Sequence, residues 1–144
     1  MTRHRLFLTG LAVAALALGA CNSGSTTSEP GPAAITIEED EGTGLKTLTL
    51  SDKAAERLGV ETVPVAGSGA AMTIPYAAIV YDAAGKTWTY VNESSLTYKR
   101  AEITVDEIDG DTARISAGPP TGALVVTTGA AELYGAEIGV GGGH

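Results

Sequence analysis

Histidine, cysteine and large aromatic residues are nearly missing from this chain. Its 144 residues include two histidines, one cysteine, one tryptophan and one phenylalanine. A single cysteine cannot close an internal disulfide, and no His/Cys cluster has the spacing of metal ligands. His4 and His144 stand at the two ends, so no nucleophile–base pair containing histidine is available in between. No glycine loop of the phosphate-cradling kind precedes a helix. Positive charge is also scarce, with nine Lys and Arg against 17 Asp and Glu and a net charge of −8. That balance argues against contact with nucleic acid or anionic headgroups through a basic patch. An enzyme is therefore not expected, and neither is a cofactor.

The residues that are present begin with a secretory pattern. Arg3, His4 and Arg5 form a cationic start, and Leu6 to Leu18 is apolar apart from Thr9 and Gly10. The run ends in Leu18-Gly19-Ala20-Cys21, which has the form of a lipobox. It is shorter than the ~20 residues that span a bilayer, and no basic stop-transfer cluster follows. The reading is a lipoprotein signal peptide over residues 1–20, removed on export, with Cys21 lipidated. The competing reading is a transmembrane anchor with an incidental cysteine. Each buried acyl methylene contributes about 0.8 kcal/mol, so a diacylglyceryl group would hold the chain at the membrane without help from the protein surface. The expected location is extracytoplasmic, lipid-anchored to the cell membrane of a bacterium.

Removing residues 1–20 from 144 leaves 124, enough for one compact domain, and the loss of two arginines takes the net charge from −8 to −10. Residues 21–44 read as a flexible acidic linker, with small polar residues from Ser23 to Ser28, breakers at Pro30, Gly31 and Pro32, and the run Glu38-Glu39-Asp40-Glu41. Ala33 to Ile37 could add a strand. The acidic run reads as a solvated tether, with calcium binding the minor alternative. Residues 45–138 are expected to form a mainly β domain and 139–144 a glycine-rich tail. In that tail His144 is a weak candidate metal ligand.

Within the domain, Leu45 to Leu50 alternates as a strand, and Ser51 or Asp52 can cap a short helix from Lys53 to Leu58 that stops at Gly59. Val60 to Val65 reads as a second strand, with Pro64 suggesting an edge. Further strands are expected at Met72–Ile74, Ala77–Tyr81, Thr87–Asn92, a bent Leu96–Val105, Thr112–Ser116 and Leu124–Thr128. Turns are expected at Asp82–Lys86 and Ile108–Asp111, a loop at Gly118–Gly122, and one helical turn at Ala131–Tyr134. Short strands with glycine turns and no long amphipathic helices indicate a small antiparallel β-barrel or sandwich. Asp106, Glu107, Asp109 and Asp111 form the densest acidic cluster, but their spacing is not that of an EF-hand loop. Trp88, Tyr76, Tyr81, Tyr90 and Tyr98 could line a binding platform, although hairpin packing accounts for most of them. Asn92-Glu93-Ser94 matches a glycosylation sequon, a match read as accidental in a bacterial lipoprotein.

Ile74-Pro75-Tyr76-Ala77-Ala78-Ile79-Val80-Tyr81-Asp82, followed by Gly85-Lys86-Thr87-Trp88-Thr89-Tyr90-Val91, resembles a hairpin of the periplasmic adaptor subunits (membrane fusion proteins) of resistance-nodulation-division efflux systems. Gly122 to Gly129, with Val125-Val126-Thr127-Thr128, is similar to their closing segment, and Leu48 to Val65 to a stretch near their start. The resemblance covers about Leu45 to Glu137. It departs in one respect: only Ala66 to Met72 stands where full adaptors carry a lipoyl-like domain and an α-helical hairpin. The resemblance therefore implies the β-barrel and membrane-proximal parts of an adaptor, unable by itself to bridge two membranes.

The function expected on these grounds is that of an accessory, adaptor-like subunit that docks on a membrane transporter, such as a permease, by protein–protein contact. Exposed strand edges and two loops are the candidate surfaces, with Asp82, Gly85 and Lys86 in one loop and Gly118, Pro119, Pro120 and Gly122 in the other. Whether the chain forms an oligomer is left open. The alternative is a solute- or metal-binding envelope lipoprotein.

Overall fold

The computed structural model describes residues 34–139. The expected signal peptide, Cys21, the first part of the expected linker and His144 lie outside the described residues.

The described residues fold into ten strands and two α-helices. The strands are β1 (Ile35–Glu39), β2 (Lys46–Leu50), β3 (Glu61–Pro64), β4 (Met72–Pro75), β5 (Val80–Tyr81), β6 (Thr87–Ser94), β7 (Thr97–Glu102), β8 (Thr104–Asp109), β9 (Thr112–Ala117) and β10 (Leu124–Thr128). The helices are α1 (Asp52–Leu58) and α2 (Ala130–Glu137). A seven-stranded sheet runs in the order β1-β2-β7-β6-β10-β3, with β5 also paired to β6, and a second sheet runs β4-β9-β8. All pairings are antiparallel. The mainly β fold with two short helices matches the expectation. Neither sheet closes on itself, so the arrangement is layered and sandwich-like, without a closed barrel.

Strand alternation puts the large sheet in the middle. Val125 and Val126 are neighbours on β10, so their side chains point to opposite faces. Val126 joins Leu48, Leu50, Trp88, Tyr90 and Tyr98 against Ala54 of α1 and Ala130 and Leu133 of α2. Val125 joins Ile74, Ala113 and Ile115 of the small sheet, together with Val65, Ala78 and Ile103. Leu48, Leu133, Ile74 and Ile115 are at most 1% exposed, and burial of each such side chain contributes about 1.5–3 kcal/mol by transfer from water.

Helix α1 forms where its end signals predict. The Ser51 hydroxyl accepts the Ala54 N–H at 3.3 Å, satisfying one of the free donors of the first turn. Gly59 turns left-handed (φ 59°) and returns its N–H to Ala55 and Glu56. The hairpin of β5 and β6 around Asp82–Lys86 also forms, pairing Val80 with Trp88 and Tyr81 with Thr87.

Several expectations are corrected. Strand β1 extends to Glu39, so Glu38 and Glu39 belong to a paired strand rather than to the tether, and ordered structure starts before Leu45. Ala77 and Ala78 lie in a 3-10 turn, Tyr76–Ala78, which leaves only Val80 and Tyr81 as strand. That turn carries the chain from the small sheet to the large one. The expected strand Leu96–Val105 is two strands in different sheets, divided at Ile103, whose side chain enters the core between the sheets. The expected turn at Ala131–Tyr134 is a helix of two turns, fixed at its far end by Glu137.

Candidate interaction surface

The first candidate loop is braced from within. Asp82 Oδ1 accepts the N–H groups of Ala84 and Lys86, both at 2.9 Å, and its Oδ2 accepts the indole N–H of Trp88 at 2.9 Å. This is an Asx turn with a side-chain prop. The Trp88 hydrogen bond, helped by those two backbone donors, holds the Asp82 carboxyl below its usual range. With three donors bound, Asp82 shapes the turn, while Gly85 and Lys86 are the exposed residues. Lys86 Nζ lies 3.3 Å from Glu102 Oε1, both side chains being more than half exposed, so the pair is a weak surface contact.

The second loop is also anchored. A Cβ on Gly118 would lie 2.9 Å from Ile103 Cγ2 and 3.1 Å from Ile115 Cδ1, so the backbone sits directly on the inter-sheet core. Pro119 is buried, which removes it from the set of contact residues. The Gly122 N–H donates to the Val65 carbonyl at 2.9 Å, and the Thr121 hydroxyl to the Gly67 carbonyl at 2.8 Å. What the loop exposes to a partner is Gly118, Pro120, Thr121 and Gly122.

Behind the first loop is a charged network that sequence reasoning missed. Glu137, on the last turn of α2, is 4% exposed. One carboxylate oxygen accepts the Tyr90 hydroxyl, and the other lies 2.9 Å from Arg100 Nε. The Arg100 N–H is not aimed at that oxygen, so the attraction is ionic rather than a well-formed hydrogen bond. The Arg100 guanidinium stacks over Trp88, 4.4 Å from the ring centroid. Lys46 Nζ donates to the Glu137 carbonyl at 2.9 Å, neutralising the end of the helix. Burial first, and then the Glu137 carboxylate, keeps the Tyr90 hydroxyl protonated well above the usual tyrosine range. Arg100 and Glu137 are 37 positions apart, and no local spacing signals their pairing.

The aromatic platform divides. Trp88, Tyr90 and Tyr98 are core residues, while Tyr76 and Tyr81 are each nearly half exposed. In the acidic cluster Asp106 accepts the Ser116 hydroxyl at 2.7 Å, and Glu107 pairs with Arg114 at 2.8 Å. Among the described residues no group of three or more His, Cys, Asp or Glu is arranged to hold a metal ion. Two concavities stand out among the described residues. An apolar groove of about 390 Å³ lies between α1, α2 and the start of β1, lined mainly by Ile35, Ala54, Leu58 and Ala136. A polar dish of about 290 Å³ lies among Thr73, Glu107, Asp109, Thr112 and Arg114. Among the described residues no helix is long and apolar enough to cross a membrane.

No family model matches the chain, and neither does a curated protein or a solved structure.

Proposed function

We propose that the chain is an accessory, adaptor-like subunit of a membrane transporter or efflux system, held outside the cytoplasm at a bacterial membrane by lipid on Cys21. The run Leu18-Gly19-Ala20-Cys21 carries the location. The partner role is supported by the two braced loops, whose exposed residues are already ordered and so lose little entropy on docking. The domain works by contact, with Lys86 and Pro120 presented on rigid supports.

Two variants test this. Cys21→Ser should move the protein out of the membrane fraction with the fluorescence of Trp88 unchanged. A lipidated Lys86→Glu, Pro120→Glu chain should stay at the membrane and recover less of the permease that copurifies with the native chain. Truncating Gly118–Gly122 is a poorer test, because the Gly118 backbone packs against Ile103 and Ile115 and Pro119 is buried. Failure of the native chain to recover any permease, or equal recovery by the double variant, defeats the proposal.

The apolar groove favours one second reading, a lipoprotein that carries a small apolar solute, since its volume falls within the usual ~300–1,000 Å³ of ligand pockets. Calorimetric titration with apolar solutes and, separately, with divalent cations distinguishes the two readings. A tight stoichiometric site would replace the adaptor reading.

A further inference from the structure

The described strands include several sheet edges, and all but one are too short or are blunted in ways that prevent further pairing; β5, paired only to β6, has just two residues. Strand β8 carries two register shifts along its length. Strand β3 ends in Pro64 and pairs through an irregularity. The outer side of β4 is occupied at Thr73, which exchanges two backbone hydrogen bonds with Ala66. Bulges, prolines and coverage of this kind protect an edge from a foreign strand.

Strand β1 has none of these. Its five residues pair with β2 in unbroken register and include neither proline nor glycine. The Asp40 N–H donates to Leu45, and the Ser51 N–H to Ala34, each at 2.9 Å. These bonds set the antiparallel alternation, so Thr36 and Glu38 turn their backbone groups toward β2. Ile35, Ile37 and Glu39 must then turn their N–H and C=O groups outward, and no described strand lies beyond them. Ile37 is 41% exposed on the same edge.

The side chains at this edge select by charge. Glu38, Glu39 and Glu41 are exposed and make no ion pair among the described residues. Lys46, opposite Glu39 in the register, is directed instead to the Glu137 carbonyl. Two copies meeting at β1 would bring like-charged carboxylates together on molecules that each carry −8, or −10 once residues 1–20 are removed.

We propose that β1 is a docking edge, which takes an extended lysine- or arginine-bearing segment of a partner protein as an added strand. This deepens the adaptor reading by naming the edge and the chemistry of what binds there. Backbone hydrogen bonds to Ile35, Ile37 and Glu39 provide affinity, and the glutamates select a cationic, alternating segment.

The test uses the full chain in a non-ionic detergent and a synthetic peptide of alternating lysine and valine. The peptide should slow hydrogen exchange at the amides of Ile35, Ile37 and Glu39. A copy N-methylated at alternate backbone amides keeps the charge but loses the donors, and should bind at least about tenfold more weakly. Ile37→Pro deletes an N–H that faces away from β2, so it should weaken the peptide similarly while leaving the β1–β2 ladder protected. Equal binding of the methylated copy would mean attraction by charge alone and overturns the proposal. So would protection that appears without peptide and grows with protein concentration, the mark of a second copy at the edge. The peptide assay needs no transporter, so its failure is separate from failure of the adaptor reading. Undiminished permease recovery by Ile37→Pro overturns the edge and leaves that reading intact.

Discussion

Arg100→Met should be among the most damaging single substitutions in this domain, because of what it leaves behind. The Glu137 side chain is 2% exposed and that of Arg100 is 18% exposed, so the pair is largely out of water. Removing the cation leaves a buried carboxylate with only the Tyr90 hydroxyl and weak help from its surroundings. Breaking a buried ion pair from one side costs about 3–5 kcal/mol, and the lost stacking on Trp88 adds about 0.5–2 kcal/mol. The partial exposure of Arg100 argues for the lower end, about 3–4 kcal/mol in total. For a domain of this size the melting temperature should fall by about 10–20 °C. Urea unfolding followed by the fluorescence of Trp88, the only tryptophan, reads the change at the site itself. The decisive arm is the pair Arg100→Met, Glu137→Met. An apolar replacement of both charges leaves nothing uncompensated, so the double variant should be more stable than Arg100→Met alone. A loss below about 1 kcal/mol for Arg100→Met, typical of a surface bridge, would refute the reasoning. Strict additivity in the double variant would refute it as well.

Two further outcomes follow from the same network. The folded-state pKa values of Tyr90 and Tyr98 are both raised, so their contribution to stability is complete below the unfolded value of about 10 and declines as pH rises past it. Phenolate absorbance from Tyr90 should therefore appear together with loss of the fold in an alkaline titration, and ionisation of every tyrosine in the folded protein near pH 10 would contradict the burial argument. Asp82→Asn should loosen the β5–β6 turn and shift Trp88 emission. Because the folded-state pKa of Asp82 is lowered, its contribution is present above the unfolded value of about 4 and is lost as pH falls through the folded value. The native chain should then approach the variant in stability under acid, as measured by parallel urea titrations.

Elements whose signals lie within a few residues were legible from the chain. Ser51 and Gly59 bound α1 because a cap and a left-handed stop act over one helical turn. The Asp82–Lys86 hairpin follows from alternation on either side of a turn. The failures share a different cause. Leu96 to Val105 is one β-favouring run, and nothing local says that Ile103 must leave one sheet for another. Of the loop residues, Pro119 gives no local sign that it packs inward, nor Asp82 that its carboxylate is spent on its own turn and on Trp88.

Composition and order along the chain were enough to determine the β class, the poverty in histidine and cysteine, and the lipobox-like run that ends at Cys21. These depend on residue types and on spacings of a few positions. Tertiary structure alone decided which edges are blunted and which is open, and it alone brought Glu137 to Arg100 and Tyr90. Those facts depend on contacts between residues far apart in the chain, and pairing across sheets and layers is set by how whole faces pack rather than by any local preference.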